Sequence, residues 1–119
     1  MNRQELKVRL EELLPSPVFE EGGEWLAVMV DPAAWDGIAR QLRSADGLDF
    51  DFLFCVTAVD WRTHLSMIYH LTSTIHRYTL VIKIKLESAN PEVQTVSGIW
   101  RTAEFHEREA YDLFGVVFT

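Results

Sequence analysis

The run Glu104-Phe105-His106-Glu107-Arg108-Glu109-Ala110-Tyr111-Asp112-Leu113-Phe114-Gly115 holds the densest set of chemically capable side chains in this sequence of 119 residues. Glu104 and Arg108 are four apart, as are Arg108 and Asp112. On a helix, one guanidinium can therefore bridge an acid a turn before it and another a turn after. Glu107 falls nearer the apolar stripe through Trp100, Ala103, Ala110 and Phe114. Two readings fit this spacing. One is an exposed, salt-bridged helix face whose pairs each contribute a few tenths of a kcal/mol. The other is a mixed face buried against another polypeptide, with Phe105, Tyr111 and Phe114 as anchors and the charged groups orienting them. Spacing alone favours the first.

The rest of the sequence offers little catalytic chemistry. His106-Glu107 begins like a zinc-protease helix, but that pattern needs a second His four positions on, and residue 110 is Ala. His64, His70 and His76 fall on or beside predicted strands at spacings that define no common face, and read as surface or strand-end residues. The single cysteine, Cys55, lies in the apolar run Phe52 to Val59 and reads as a small core side chain. One thiol permits no internal disulfide, thiolate-held iron–sulfur cluster or zinc ribbon built by this chain alone. Gly22-Gly23 matches neither the dinucleotide nor the phosphate-loop pattern. Asp60, beside Trp61, reads first as a turn carboxylate and second as an acid–base group working with His64, His70 or His106. No catalytic, cofactor-binding or metal-ligating residues are expected.

These residues must be positioned by one domain, 1–119, because the length leaves no room for separate catalytic and cofactor domains. Hydrophobic residues make up 48% and charged residues 24%, enough to bury a core without covalent staples. The net charge of −7 argues against nucleic acid and anionic lipid as partners, since both require clustered Lys and Arg. The N-terminus lacks the apolar stretch of a signal peptide, and no run approaches the roughly 20 apolar residues of a membrane span. A reducing cytoplasm is the expected surrounding, with no direct membrane insertion.

Asn2 with Glu5 reads as a capping pair for a short helix through Leu6, Leu10, Leu13 and Leu14, stopped by Pro15. Gly22-Gly23 separates Val18-Phe19 from Trp25–Val30 as in a hairpin. Asp31-Pro32 starts a second helix with Trp35, Ile38, Ala39 and Leu42 on one face, ending by Gly47. Segments 50–61, 65–71 and 78–86 predict three consecutive antiparallel strands. After Asn90-Pro91, Ser97 is the expected cap of a last helix that ends at Gly115 in a left-handed conformation, with Val116 to Phe118 as a possible strand. The predicted fold is α+β, a two-layer domain with a mainly antiparallel sheet packed by helices, in the order α-β-α-β-β-β-α.

The run Glu107 to Gly115 resembles the signature of the 30-kDa (C chain) subunit family of respiratory complex I, NADH:quinone oxidoreductase. Thr57-Ala58-Val59-Asp60, Tyr69-His70-Leu71, Arg77 before a strand, and Val96-Ser97 leading to Trp100 and Ala103 extend the likeness over most of the chain from about Leu48. The resemblance implies a cofactor-free subunit of the hydrophilic arm, on the cytoplasmic side of the inner membrane. It implies docking onto the quinone-site (large-subunit) homologue and the iron–sulfur small subunit, so that electron transfer coupled to ion translocation proceeds in its neighbours. Glu107, Arg108, Glu109, Tyr111, Asp112, Phe114 and Gly115 are then the docking signature, with Asp60, Arg77 and Trp100 as secondary candidates. Members of that family usually continue past the position of Thr119 with a tail containing His-Pro and Leu-Arg-Arg. A shorter chain is similar to the small subunit of energy-converting membrane-bound [NiFe] hydrogenases, which is the alternative reading.

Overall fold

A computed structural model describes residues 2–119. The first helix, α1 (Arg3–Leu13), begins where predicted: Asn2 Oδ1 accepts from the Glu5 amide at 2.9 Å. Leu6, Leu10 and Leu14 point inward from it. Strands β1 (Val18–Glu20) and β2 (Leu26–Met29) form the expected hairpin, with Phe19 opposite Val28. Asp31 Oδ1 accepts from the Ala33 amide at 2.8 Å, but Pro32–Ala34 closes as a 3-10 turn before α2 (Trp35–Ser44) starts. Trp35, Ala39 and Leu42 form the buried stripe of α2. The amide of Asp36, in its first turn, donates 2.7 Å to Gln94 Oε1, a partner far along the chain.

Strands β3 (Phe52–Asp60), β4 (His64–Ser73) and β5 (Tyr78–Glu87) run antiparallel as a meander. The hairpin joins them through β2, which pairs parallel to β5 with Leu26 opposite Leu80 and Val28 opposite Ile82. Sheet order is therefore β1-β2-β5-β4-β3, a mixed sheet that is antiparallel in all but one pairing. Strict alternation along β4 sends Leu65, Met67, Tyr69 and Leu71 to one face, where they meet Leu80, Ile82, Ile84 and Leu86 of β5. This face, with the apolar stripes of α1 and α2, makes a single core in which the Trp35 and Tyr69 ring centroids lie 4.8 Å apart.

The chain then forms the short strand β6 (Glu92–Val93), a run of turns over 97–102, helix α3 (Ala103–Phe114) and strand β7 (Val117–Phe118), which pairs parallel to β6. The predicted last helix thus loses its first turns. Ser97 does not cap it; the Ser97 amide donates to Thr95 Oγ1 at 3.2 Å, and the Trp100 indole is drawn inward to donate 2.8 Å to the Phe50 carbonyl. Successive tight turns, Trp100 N to Val96 O and Ala103 N to Trp100 O, lead into α3 instead. Small residues at Ala103 and Ala110 let α3 lie close along β3, the free edge strand, and Thr102 Oγ1 donates to the Leu53 carbonyl there at 2.6 Å. Covering an edge with a helix is a common protection against strand addition.

Candidate functional site

The signature run occupies α3 and its C-cap, and the helix sorts the signature residues into two groups. Glu107 and Ala110 face inward, whereas Arg108, Glu109, Tyr111, Asp112 and Leu113 are exposed. Glu107 is only 6% exposed, although it is an acid. One carboxylate oxygen accepts from Thr95 Oγ1 at 2.6 Å and the other from the Val96 amide at 2.9 Å. Burial raises its pKa above the ordinary carboxylate value, and the two hydrogen bonds only partly oppose this. Glu107 therefore fastens the 95–102 turns to α3, and those turns carry Trp100, 2% exposed, whose indole bond ties them to the start of β3. Two of the candidate residues act here as internal fastenings.

Gly115 ends the helix as expected, at φ 71°, with its amide donating to the Tyr111 carbonyl at 2.9 Å. Phe114 straddles the boundary at 38% exposure. The predicted bridge through Arg108 does not form: neither Glu104 nor Asp112 lies within ion-pair distance of it, and Glu109 is also unpaired among the described residues. Among the described residues, three acids and one guanidinium thus stand on the outer side of α3 without ion-pair partners, beside the exposed side chains of Phe105, Tyr111 and Leu113.

The secondary candidates lie elsewhere. Arg77 is exposed in the β4–β5 turn in a left-handed conformation, φ 59°, with its amide donating to the Ser73 carbonyl at 2.8 Å. That turn is tied to the segment before β3 by Asp51, which accepts from Thr74 and is held below the ordinary carboxylate range by those bonds. Asp60 ends β3, where its carboxylate accepts from the Arg62 amide at 2.8 Å, a turn role. His64, His70 and His106 line three different clefts and Asp60 lines none of them. The acid–base grouping considered from sequence is not assembled. His70, packed by Trp25 and Phe54, is held below its ordinary value by burial and then by Lys83.

Residues 28–119 match the family described as respiratory-chain NADH dehydrogenase, 30 Kd subunit. The chain belongs to this family. Among relatives of the 30 Kd subunit is the C subunit of NADH-quinone oxidoreductase from Roseiflexus sp. (strain RS-1), 35% identical over 117 residues, which cover 93% of this chain and 67% of that one. Its counterpart from Chloroherpeton thalassium (strain ATCC 35110 / GB-78) is 37% identical over 87 residues, covering 71% of this chain but 36% of the relative. This chain therefore spans between about a third and two thirds of these relatives. The solved structure of Nqo5, as a trypsin-resistant fragment (1-134), superposes with a TM-score of 0.81 at 25% identity, covering 98% of this chain and 96% of that one. A chain of the membrane-bound sulfane sulfur reductase, described as an archaeal respiratory membrane complex, shares the fold with a TM-score of 0.83 at 24% identity, covering 97% and 69%. The α+β fold and the family resemblance read from the signature both hold. Among the described residues, no helix is long and apolar enough to cross a membrane and no group of His, Cys, Asp and Glu is placed to hold a metal ion.

Sequence reasoning missed Thr95 and Val96, the partners of Glu107, because a contact between a turn and a later helix leaves no periodic trace. It also missed Phe52 and Phe54 as exposed residues. They sit on the face of β3 turned away from the core, two residues apart and so on the same side of the pleat, with Leu53 between them pointing inward.

Proposed function

We propose that this chain is a docking subunit of the hydrophilic arm of a membrane-bound, complex I-like oxidoreductase, held at the cytoplasmic side of the membrane through its partners. It positions the quinone-site (large-subunit) homologue and the iron–sulfur small subunit and carries no redox centre of its own. The observation that supports this reading most is the outer side of α3. There the family signature leaves Arg108, Glu109 and Asp112 unpaired among the described residues, next to exposed Tyr111 and Leu113. Charges that were mainly intrahelical stabilisers would be paired; unpaired charges beside apolar anchors suit an interface.

The test is affinity purification from native membranes with Arg108→Ala. An Arg anchor contributes about 2 kcal/mol, roughly thirty-fold in affinity, while truncating an exposed side chain changes folding stability by no more than about 0.5 kcal/mol. The variant should keep its melting temperature and lose most of its co-purifying redox subunits. A full complement of subunits with full electron-transfer activity would refute the role of Arg108. An energy-converting [NiFe] hydrogenase, the alternative given by the sequence resemblance, is the second assembly this reading admits. Recovery of a nickel-binding large subunit in place of NADH-module subunits would select it.

A further inference from the structure

Two Asp-Gly steps occur in the sequence, Asp36-Gly37 and Asp46-Gly47. An aspartate carboxyl carbon can reach the next backbone nitrogen, and glycine is the residue that leaves this nitrogen unshielded, having no side chain. The other five aspartates precede Pro, Phe, Trp or Leu, which block the approach or, for Pro, lack the N–H. The fold then separates the two remaining steps. Asp36 lies in the first turn of α2, where its carboxylate accepts from Arg40 Nε at 3.1 Å. Helical side chains lean towards the N-terminus of their helix, away from the amide that follows.

Asp46 lies beyond the end of α2 and is exposed. The Leu48 amide donates to the Ala45 carbonyl at 3.1 Å, so Asp46 and Gly47 are the central residues of a tight turn, and Gly47 is left-handed at φ 83°. Such a turn bonds its outer residues and leaves the central amide out. Among the described residues the Gly47 N–H has no acceptor and the Asp46 carboxylate has no ion pair. Nothing lies within 4 Å of where a side chain at Gly47 would begin. The restraint on this peptide unit from α1 is a single exposed bond, Arg9 Nη2 donating 3.1 Å to the Asp46 carbonyl.

We propose that Asp46-Gly47 is a modification site, at which the folded chain isomerises to a β-linked aspartate. The Gly47 nitrogen attacks Cγ of the protonated Asp46 carboxyl; a C–N bond forms, and the carboxyl hydroxyl leaves with the amide hydrogen as water. Water then opens the five-membered imide at the former main-chain carbonyl of Asp46. Composition is unchanged and no oxidant or reductant takes part. The main chain now runs through Cβ and Cγ, and the α-carboxylate is left as a side group, the substrate class of carboxyl methyltransferases specific for isoaspartate. The extra backbone carbon lengthens the chain by about 1.5 Å, just before two anchored carbonyls. Those of Gly47 and Leu48 both accept from the Tyr78 hydroxyl, the latter at 2.9 Å, and the Leu48 and Phe50 side chains beyond them are fully buried. Isomerisation therefore loosens the tie that Tyr78, at the start of β5, makes to this turn.

The test ages the full chain at neutral pH and physiological temperature, labels it with an isoaspartyl methyltransferase and S-adenosylmethionine, and maps the label by electron-transfer fragmentation of the peptides. Label is expected at Asp46 and not at Asp36 in the same sample. It should rise several-fold in Arg9→Ala, which releases the Asp46 carbonyl, and vanish from that position in Asp46→Glu, whose ring would need six members. Equal label at both Asp-Gly steps, or label at Asp46 that appears only when the chain is unfolded in guanidinium, overturns the proposal. Stability supplies an independent arm. The isomerised fraction, enriched by ion exchange, should melt below fresh protein, and the gap should shrink in Tyr78→Phe, which lacks the hydroxyl. An isomerised fraction that melts with fresh protein would refute the loosening of the Tyr78 tie.

Discussion

Glu107 offers the sharpest quantitative test, because a buried acid fastening a turn has consequences for both stability and its pH dependence. In Glu107→Ala the Val96 amide, in a fully buried residue, has no other partner, while Thr95 can still bond Ser97 Oγ at 3.0 Å. A stranded buried amide costs about 1–3 kcal/mol, and the one buried methylene lost, Cγ, is worth about 0.8 kcal/mol. Removing the desolvated carboxylate offsets part of this, leaving an expected loss of about 1–3 kcal/mol at pH 7. Glu107→Gln keeps an acceptor for Val96 and offers its amide hydrogens to Thr95, so it should cost less than about 1.5 kcal/mol. The sign of the pH effect follows from the raised pKa. The native state binds this proton more tightly than the unfolded chain does, so the contribution is fully present below the ordinary value of 4.5 and is lost as pH rises through the folded-state value. Glutamine does not titrate. Urea unfolding of wild type and Glu107→Gln from pH 7 down to pH 4.5 should therefore show the difference moving steadily in favour of wild type. Asp51, whose depressed pKa acts in the opposite direction, is common to both proteins and cancels. A stability gap that stays constant over that range, or a Gln variant as unstable as Ala, would refute the assignment of Glu107 as a desolvated fastening.

Two further substitutions probe the neighbouring structure. The Tyr69 hydroxyl is buried without a hydrogen-bond partner, and burial, with the charge of Glu107 second, pushes its pKa far above the ordinary value. Trp35 works weakly the other way, from a position outside hydrogen-bond geometry. Tyr69→Phe should leave stability unchanged or raise it by up to about 1 kcal/mol, since removing an unpaired polar atom costs nothing to the partners it lacks; a loss above about 1.5 kcal/mol by urea unfolding would show that the hydroxyl has a partner. At Gly115 an added methyl group meets nothing within 4 Å, so the whole penalty of Gly115→Ala is the left-handed backbone, about 1 kcal/mol by the same measurement.

Much of this was legible in the residues alone, for identifiable reasons. Asn2, Asp31 and Gly115 act through their own backbone or one a few residues away, and each does what its type predicts. The alternation of β4 and β5 reads directly as a one-sided sheet. Local rules failed where a distant group intervened. The start of α3 was misread because Trp100 answers to the Phe50 carbonyl and not to helical spacing. The bridge through Arg108 was predicted from spacing that places the groups on neighbouring turns but does not make exposed side chains meet. The parallel pairing of β2 with β5 has no signature in either strand, both of which read equally well as antiparallel partners.

That parallel pairing also bears on the order in which the molecule can assemble. β2 ends at Met29, whereas its partner does not begin until Tyr78, and α2 and the whole β3–β4 hairpin intervene. During synthesis the N-terminal helix and hairpin emerge with no sheet to join, while β3, β4 and β5 pair with immediate neighbours by short turns. Closing so long a loop is the entropically expensive step, so the meander is expected to form early and the N-terminal third to dock onto it late. Until it does, β5 is an open edge of ten mainly apolar residues. The interval between completing the meander and docking the N-terminal third is therefore when a nascent chain is most exposed to strand addition by another copy, the hazard α3 guards against at the far edge.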